Sequence, residues 1–139
     1  MIRELNINDI DKFLCLGSLI KSDFSKTNDL NKILDSSSEE VYGYFMEDEL
    51  VGFIYISKTV DSIDIIDIVV DEKVRRKGIA SLLIDYVVNN NKDINKIFLE
   101  VNEHNDPAIE TYKKNGFETI SVRKKYYGDD DAIVMKRDV

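Results

Sequence analysis

The sequence predicts one domain of the α/β (α+β) class, in which a mixed sheet of seven strands carries helices on both faces. Three observations lead to this prediction. An apolar run over residues 63–70 ends in a charged turn with one glycine, and a helical pattern begins directly after it. Two aromatic and β-branched runs, residues 41–46 and 50–57, are separated by three acidic residues and predict a hairpin. Strand and helix patterns then alternate to the end of the chain, which favours a mixed sheet covered on both sides.

Length and composition set the bounds of this prediction. A chain of 139 residues can bury a sizeable core, and we assign residues 1–139 to a single domain. The 43% hydrophobic and 33% charged residues are typical of a soluble globular protein. Because no apolar run approaches a membrane span and the first residues do not resemble a signal peptide, we expect neither membrane insertion nor secretion. The single cysteine, Cys15, favours a reducing cytoplasm, and its apolar neighbours predict that it packs in the core.

The net charge of −8 limits the classes of partner. It argues against nucleic acid, whose phosphates attract basic surfaces, and it suits a cationic substrate. No cluster of side chains has the spacing of metal ligands, so we expect no metal. We expect a monomer or a homodimer.

The first forty residues predict a strand and two helices. Residues 2–7 alternate as a short strand, and Asn8 or Asp9 can cap the helix that follows. A weaker helix is predicted over residues 25–34. For Phe24, in the loop between the helices, packing is the preferred expectation, and a substrate contact is the alternative that makes it a candidate site residue.

The apolar run over residues 63–70 changes phase in its middle. Apolar side chains hold the odd positions up to Ile65 and continue on even positions from Ile66. A central strand covered on both faces explains this pattern, and so does a β-bulge, which commonly lies beside an active site.

The second half of the chain alternates helices and strands. Asp106 is a candidate N-cap with Pro107 as the first helical residue, and Gly116 marks the end of that helix. The predicted elements are a helix over 79–91, a strand over 96–101, a helix over 107–115, a strand over 117–123, a turn over 124–131 and a strand over 132–136.

The turn before the helix at residue 79 has the features of an anion site. Arg75, Arg76 and Lys77 place three cations there. Gly78 and Ala80 leave the backbone bare, and the first N–H groups of a helix have no intrahelical partner and carry positive potential. The segment therefore predicts a phosphate or pyrophosphate site, with a basic helix start that binds nothing as the alternative. Its single glycine and the absence of Gly-Lys-Ser/Thr exclude a dinucleotide fingerprint and a P-loop.

Taken together, the motifs of the chain resemble the GNAT superfamily of N-acetyltransferases, and most of all its ribosomal-protein-alanine N-acetyltransferases. The resemblance covers roughly residues 41 to 137. The matching motifs are Arg75-x-x-Gly78-x-Ala80, Leu99-Glu100-Val101, Asn105-x-x-Ala108, Tyr112-x-x-x-Gly116-Phe117 and the tail Arg123-Lys124-Lys125-Tyr126-Tyr127. The resemblance implies a sheet that is mostly antiparallel, and acetyl-CoA as the acetyl donor.

The resemblance also implies roles for single residues. Glu100 would be the general base and Tyr112 the general acid, with backbone N–H near Val70 for the oxyanion. Asn105 would contact the pantetheine arm, and Tyr126 and Tyr127, with Phe24, are candidates for substrate binding. The implied cofactor-binding residues are Ile68, Val69, Val70, Arg75, Arg76, Lys77, Gly78, Ile79, Ala80, Ser81, Asn105 and Tyr112.

The chemistry of amide formation explains why these residue types are needed. An amine attacks a thioester only when it is neutral, so a base must take its proton, and the leaving thiolate needs an acid. Glu103 and the only histidine, His104, are the alternative bases. Because no nucleophile lies in the motifs, we expect direct transfer in a ternary complex.

The expected acceptor is the α-amine of a protein or peptide N-terminus. A small amine such as a polyamine or an amino sugar is the alternative acceptor. The other class of protein that fits is a CoA-binding module without turnover, and the presence of both Glu100 and Tyr112 argues against it.

Overall fold

The computed structural model describes residues 1–139, with seven strands and five α-helices. The strands are β1 (Ile2–Glu4), β2 (Glu39–Met46), β3 (Glu49–Lys58), β4 (Ser62–Val70), β5 (Lys96–Asn102), β6 (Glu118–Tyr127) and β7 (Asp130–Asp138). The helices are α1 (Ile10–Gly17), α2 (Phe24–Thr27), α3 (Leu30–Asp35), α4 (Ile79–Asn89) and α5 (Asp106–Lys114). None of these helices is long and apolar enough to cross a lipid bilayer.

All seven strands belong to one sheet, in the order β1-β2-β3-β4-β5-β7-β6. The pair β4–β5 is parallel, because α4 returns the chain to the same end of the sheet, and every other neighbouring pair is antiparallel. The predicted mixed, mostly antiparallel seven-stranded sheet is therefore confirmed.

Helices cover both faces of the sheet, as predicted. On one face, α4 and α5 pack on the central strands, with Leu83 and Ile84 fully buried. On the other face, α1, α2 and α3 enclose a second core. At its centre the rings of Phe13, Phe24 and Phe53 meet, with centroids 5.3 Å apart for Phe13–Phe24 and 4.8 Å for Phe13–Phe53.

The change of phase in β4 is a bulge. Ile65 pairs with Ile56 of β3, whereas Asp67 pairs with Tyr55, so Ile66 is an extra residue on β4. Up to Ile65 the strand faces α4 and α5, and beyond the bulge its buried face turns towards α1 to α3. The sequence left two explanations for the change of phase, a central strand covered on both faces and a β-bulge, and the structure contains the bulge.

The strands β4 and β5 separate at the same place. Their parallel pairing ends at Ile65 and Leu99. Beyond these residues the edge of β4 over residues 66–70 has no strand partner on the side of β5. A gap therefore opens in the centre of the sheet, with unpaired backbone groups along one of its sides.

Three local predictions are wrong. The single helix over residues 25–34 is two short helices, because Asn28 is extended and Asp29 caps α3 by accepting the N–H of Asn31. The turn over residues 124–131 is mostly strand, since β6 continues to Tyr127. Cys15 is exposed on α1 and does not pack in the core.

Candidate active site

A cavity of about 740 Å³ lies where β4 and β5 separate. It brings together predicted site residues from four elements that are far apart in the chain. Those that line it are Ile68, Glu100, Asn105, Tyr112, Tyr126 and Tyr127.

None of the predicted cofactor residues from Val69 to Ser81 lines this cavity, and the start of α4 is a separate part of the candidate site. Gly78 is its N-cap in the left-handed region, with φ 75°, and a Cβ built there would meet no atom within 4 Å. Open space therefore lies in front of the first, unpaired N–H groups of the helix. Arg75, Arg76 and Lys77 are all exposed around this point, and Arg75 donates its Nε–H to the carbonyl of Val70 at 3.1 Å. The arrangement fits a phosphate group, because bare backbone donors and positive charges face the same open volume.

Several of the predicted cofactor contacts can only be made by the backbone. The side chains of Val69 and Ile79 are 7% and 3% exposed and pack in the two cores. The hydroxyl of Ser81 accepts a hydrogen bond from the amide of Asn115 at 2.9 Å. What remains free is the β5-facing edge of residues 68–70, except for the Val70 carbonyl that accepts the hydrogen bond of Arg75, and the first N–H groups of the helix at residues 79–81.

Tyr112 reaches the cavity from α5 and is almost completely buried, with 8% of its surface exposed. Its ring meets that of Phe117 edge-on, with centroids 6.0 Å apart. Burial raises the pKa of the Tyr112 hydroxyl, and electrostatic interactions with Asp67 and Tyr127 raise it further. The hydroxyl is therefore protonated at neutral pH and can act as a proton donor.

Glu100 follows directly after Leu99, the last residue of β5 that pairs with β4. Its carboxylate contacts the guanidinium of Arg123 at 2.9 Å, and the two side chains are 29% and 55% exposed. The same guanidinium lies 5.1 Å from the centre of the Tyr126 ring. Sequence reasoning quoted Arg123 only as part of the tail motif, because an ion pair between β5 and β6 leaves no trace in the spacing of either segment.

Asn105 is the N-cap of α5, where the sequence predicted Asp106. Its Oδ1 accepts the N–H of Ala108 at 3.3 Å, and Asp106 and Pro107 form the first helical turn. This hydrogen bond fixes the amide beside the cavity and leaves its NH₂ group as the donor that could contact a ligand.

On the acceptor side, two of the three residues predicted to bind substrate lie at the cavity. Tyr126 and Tyr127 line the cavity, are 52% and 41% exposed, and pack edge-on at 5.1 Å. Phe24 is wrong as a substrate contact, because it is fully buried between α1 and the sheet. A Cβ at Gly17 would overlap the ring of Phe24. The absence of a side chain at Gly17 therefore makes room for this ring in the core.

Sequence reasoning missed several lining residues, and one of them is a partly buried carboxylate. Asp67, directly after the bulge, is partly buried and lines the cavity. Burial raises the pKa of its carboxyl to about 6, against an opposing effect of Lys21. The bulge was foreseen as one possibility, but its position, which decides where Asp67 points, was not.

The alternative bases lie outside the cavity. His104 is 71% exposed on its side chain, and its Nε2 lies 3.4 Å from Asp130. Glu103 accepts the backbone N–H of Asp131 at 2.6 Å. Glu103, His104 and Asp130 place their ligand atoms within 4.8 Å of one another, a juxtaposition that their separation along the chain concealed.

Comparison with known proteins agrees with this geometry. The seven-stranded mixed sheet, with α4 and α5 on one face and α1 to α3 on the other, agrees with the fold that the motif resemblance implies. The sequence model of the acetyltransferase (GNAT) family matches residues 12–117, and the chain belongs to this family. The predicted family is therefore confirmed. Acetyltransferases of the same fold have been crystallised with acetyl-CoA or coenzyme A.

Individual relatives are N-terminal acetyltransferases. The chain is 37% identical over 112 residues to an N-alpha-acetyltransferase of Saccharolobus solfataricus, over 76% of this chain and 65% of that protein. It is 27% identical over 95 residues to the [ribosomal protein bS18]-alanine N-acetyltransferase of Salmonella typhimurium, over 64% of each. It therefore spans just under two thirds of the length of both relatives. The crystal structure of Ard1 from Thermoplasma volcanium superposes with a TM-score of 0.86 at 30% identity, covering 100% of this chain and 97% of that one.

Proposed function

We propose that this chain is an acetyl-CoA-dependent N-acetyltransferase that modifies the α-amine of a protein or peptide N-terminus by direct transfer. The observation that carries the proposal is the single cavity at the gap between β4 and β5, where the carboxylate of Glu100 and the protonated hydroxyl of Tyr112 both face the same volume. The names of the two sequence relatives support the choice of an N-terminal amine.

On the donor side, the cofactor supplies a thioester-bound acetyl group. The N–H groups at the start of α4 and the cations at Arg75, Arg76 and Lys77 would hold its pyrophosphate. The free edge of β4 over residues 66–70 would bind the pantetheine arm as a neighbouring strand would, with Asn105 contacting it from α5. Backbone N–H near Val70 would stabilise negative charge on the acetyl oxygen.

In the transfer itself, Glu100 would accept a proton from the attacking nitrogen and Tyr112 would donate one to the sulfur. The burial that raises the pKa of Tyr112 keeps its proton available at neutral pH. Arg123 would hold Glu100 at the gap through their 2.9 Å ion pair.

On the acceptor side, Tyr126 and Tyr127 would hold the extended backbone of the peptide. An α-amine, with a pKa near 8, has a neutral fraction at pH 7.5 that is larger than that of a lysine by roughly two to three powers of ten. A single modest base therefore suits the α-amine better. The expected cytoplasmic location belongs to the same proposal.

Release of CoA from acetyl-CoA, measured with a panel of amines, tests this function. The panel contains a short peptide with a free N-terminus, the same peptide with a blocked N-terminus, a polyamine and an amino sugar. We expect turnover with the free peptide and none with the blocked one. Turnover confined to the polyamine or the sugar would establish the small-amine alternative, and cofactor binding without turnover of any amine would establish a non-catalytic module.

Two variants that each remove one carboxylate charge test whether Glu100 is the general base. Glu100→Gln should lower kcat by roughly 10²–10⁴-fold, the usual loss for a missing base. Glu103→Gln removes the same charge three residues along the chain, outside the cavity, and should leave kcat within twofold, roughly the range of a neutral surface change. Full activity in Glu100→Gln would overturn the assignment.

A further inference from the structure

We propose that Asp67 is a second catalytic carboxylate, which takes the first proton from the protonated acceptor amine before the attack that Glu100 assists. The inference rests on the proposed function, and it adds a residue that neither the motifs nor the family resemblance pointed to.

The bulge in β4 places Asp67 at the site. Residues directly opposite in an antiparallel pair share a face of the sheet, so Asp67 lies on the same face as Tyr55, towards α1 to α3. In a regular strand Asp67, two residues after Ile65, would share the face of Ile65, which packs under α4 and α5. The bulge at Ile66 instead places this carboxylate on the acceptor side of the sheet.

Asp67 and Glu100 stand on opposite sides of the gap and on the same face. The neighbours of Glu100 on β5, Leu99 and Val101, point into the core beneath α4 and α5, so Glu100 points the other way. Both carboxylates line the one cavity, as does Tyr112. An amine in the gap would therefore lie between two carboxylates.

The two carboxylates differ in their partners. Glu100 is ion-paired with Arg123 at 2.9 Å. The side chain of Asp67 makes no hydrogen bond and no ion pair with any residue of the chain. A partly buried carboxylate without a partner is costly to leave charged, which makes it ready to bind an ammonium group and to accept its proton.

The charged and titratable groups that face Asp67 agree with this role. Burial raises the pKa of Asp67 to about 6, and Lys21, from the segment after α1, opposes the rise. The charge of Asp67 in turn contributes to the raised pKa of Tyr55 on β3, of Tyr112 on α5 and of Tyr127 on β6. These tyrosines are protonated at neutral pH. Glu100 with its partner Arg123, and Asp64 on the same strand, are the other charged groups around the cavity. A base is most effective when its pKa lies near the working pH.

The proton balance of the reaction requires two acceptors. Acetylation of an ammonium group follows R–NH₃⁺ + CH₃CO–S–CoA → CH₃CO–NH–R + HS–CoA + H⁺, so the nitrogen loses two protons. Asp67 takes the first and releases it to solvent through the open cavity. Glu100 takes the second as the C–N bond forms and the C–S bond breaks. Tyr112 protonates the sulfur and regains a proton from Glu100, which closes the cycle.

The pH dependence of kcat/KM for a peptide α-amine tests the inference. In the wild type we expect kcat/KM to rise through about pH 6 and then to level off. The Asp67→Asn variant can use only amine that is already neutral in solution. The rise in kcat/KM should therefore move to about pH 8, the pKa of the amine. The variant should be about tenfold slower at pH 7 and equal to the wild type above about pH 9, because roughly a tenth of an α-amine is neutral at pH 7.

Asp85→Asn is the matched control. Asp85 lies on α4, is exposed to solvent, makes no ion pair and lies outside the cavity. Its variant should keep the wild-type pH profile. If the shift appears in Asp85→Asn instead, the assignment to Asp67 is wrong.

A stability measurement separates catalysis from folding. Because burial raises the pKa of Asp67 above its value in the unfolded chain, the folded protein loses stability as the pH rises from about 4 to 6. Asp67→Asn lacks this loss, so its Tm should exceed that of the wild type at pH 7 and match it at pH 4. A wild-type profile in Asp67→Asn, or a rate loss equal at every pH, would overturn the inference while leaving the proposed function intact. A wild type that turns over no α-amine would overturn the function itself.

Discussion

The donor side and the acceptor side of this active site are built in different ways. The donor side is one continuous segment, in which β4 runs through a charged turn into α4. The acceptor side gathers side chains from the segment between α1 and α3, from β5 and from the β6–β7 hairpin. The first can be recognised from the order of residues, whereas the second exists only once distant segments have come together.

This difference has a functional counterpart. Changes on the donor side should alter cofactor affinity and leave acceptor selection alone, and changes on the acceptor side should do the reverse. Tyr112 belongs to both sides of this comparison, because it is a predicted cofactor contact and also lines the cavity on the acceptor side.

The largest expected effect is therefore at Tyr112. Tyr112→Phe removes only the hydroxyl and should lower kcat by roughly 10²–10⁴-fold, the usual range for a missing acid, with little change in the Kd of acetyl-CoA. Steady-state kinetics and calorimetry measure the two quantities. Tyr42→Phe is the control, because Tyr42 is also buried with a pKa raised by burial and by Glu40, but it lies on β2 outside the cavity. Equal losses in both variants would indicate a packing effect.

Variants of Phe24 and Tyr126 distinguish a residue that packs in the core from a residue that contacts the acceptor. Phe24→Ala should destabilise the protein by about 3–5 kcal/mol, as measured by denaturant unfolding, because it empties a buried aromatic site. The KM for the acceptor, measured on folded protein, should not change. Tyr126→Ala should show the opposite pattern, with stability within about 0.5 kcal/mol of the wild type and a raised KM. A raised KM in Phe24→Ala would restore Phe24 as a substrate contact.

Gly78 tests the donor side. At a concentration of about 100 Kd, acetyl-CoA should stabilise the wild type by about 2.7 kcal/mol, visible as a rise in Tm. Gly78→Asp places a carboxylate in front of the helix start and should abolish that rise. Gly128→Asp imposes the same charge at a similar φ, 76° against 75°, also with open space around its Cβ, and should keep it. Wild-type cofactor affinity in Gly78→Asp would refute the phosphate site.

The smallest expected effect is that of salt on the acceptor side. A basic peptide should be attracted by the net charge of −8, so its KM should rise severalfold between low salt and about 0.5 M salt, while kcat stays constant. A peptide with the same N-terminus and neutral residues behind it serves as the control and should show no such rise. If the KM of both peptides stayed constant as salt increases, the net charge of the protein would not contribute to its choice of acceptor.

The same contrast explains what the sequence could and could not predict. The seven strands in their succession along the chain and the start of α4 after Gly78 depend on local spacing, and the structure has them as expected. The errors fall mostly on the acceptor side. Phe24 looked exposed because a loop surrounds it, yet a glycine on α1 opens the space that buries it.

Arg123 and Asp67 show why the rest was out of reach. The pairing of Arg123 with Glu100 depends on the strand order that places β7 between β5 and β6. The orientation of Asp67 depends on which residue of β4 is the extra one in the bulge, and that is set by pairing with β3. Neither is encoded in the spacing of a single segment.

Mass spectrometry of one peptide tests the choice of acceptor most directly. The peptide carries a free α-amine and a lysine a few residues away, and it is incubated with the enzyme and acetyl-CoA at pH 7.5. We predict a single acetyl group on the α-amine, because its neutral fraction is larger than that of the lysine and the cavity between Asp67 and Glu100 receives it. Acetylation of the lysine alone, or an unmodified peptide under conditions in which a polyamine is acetylated, would contradict the proposed function.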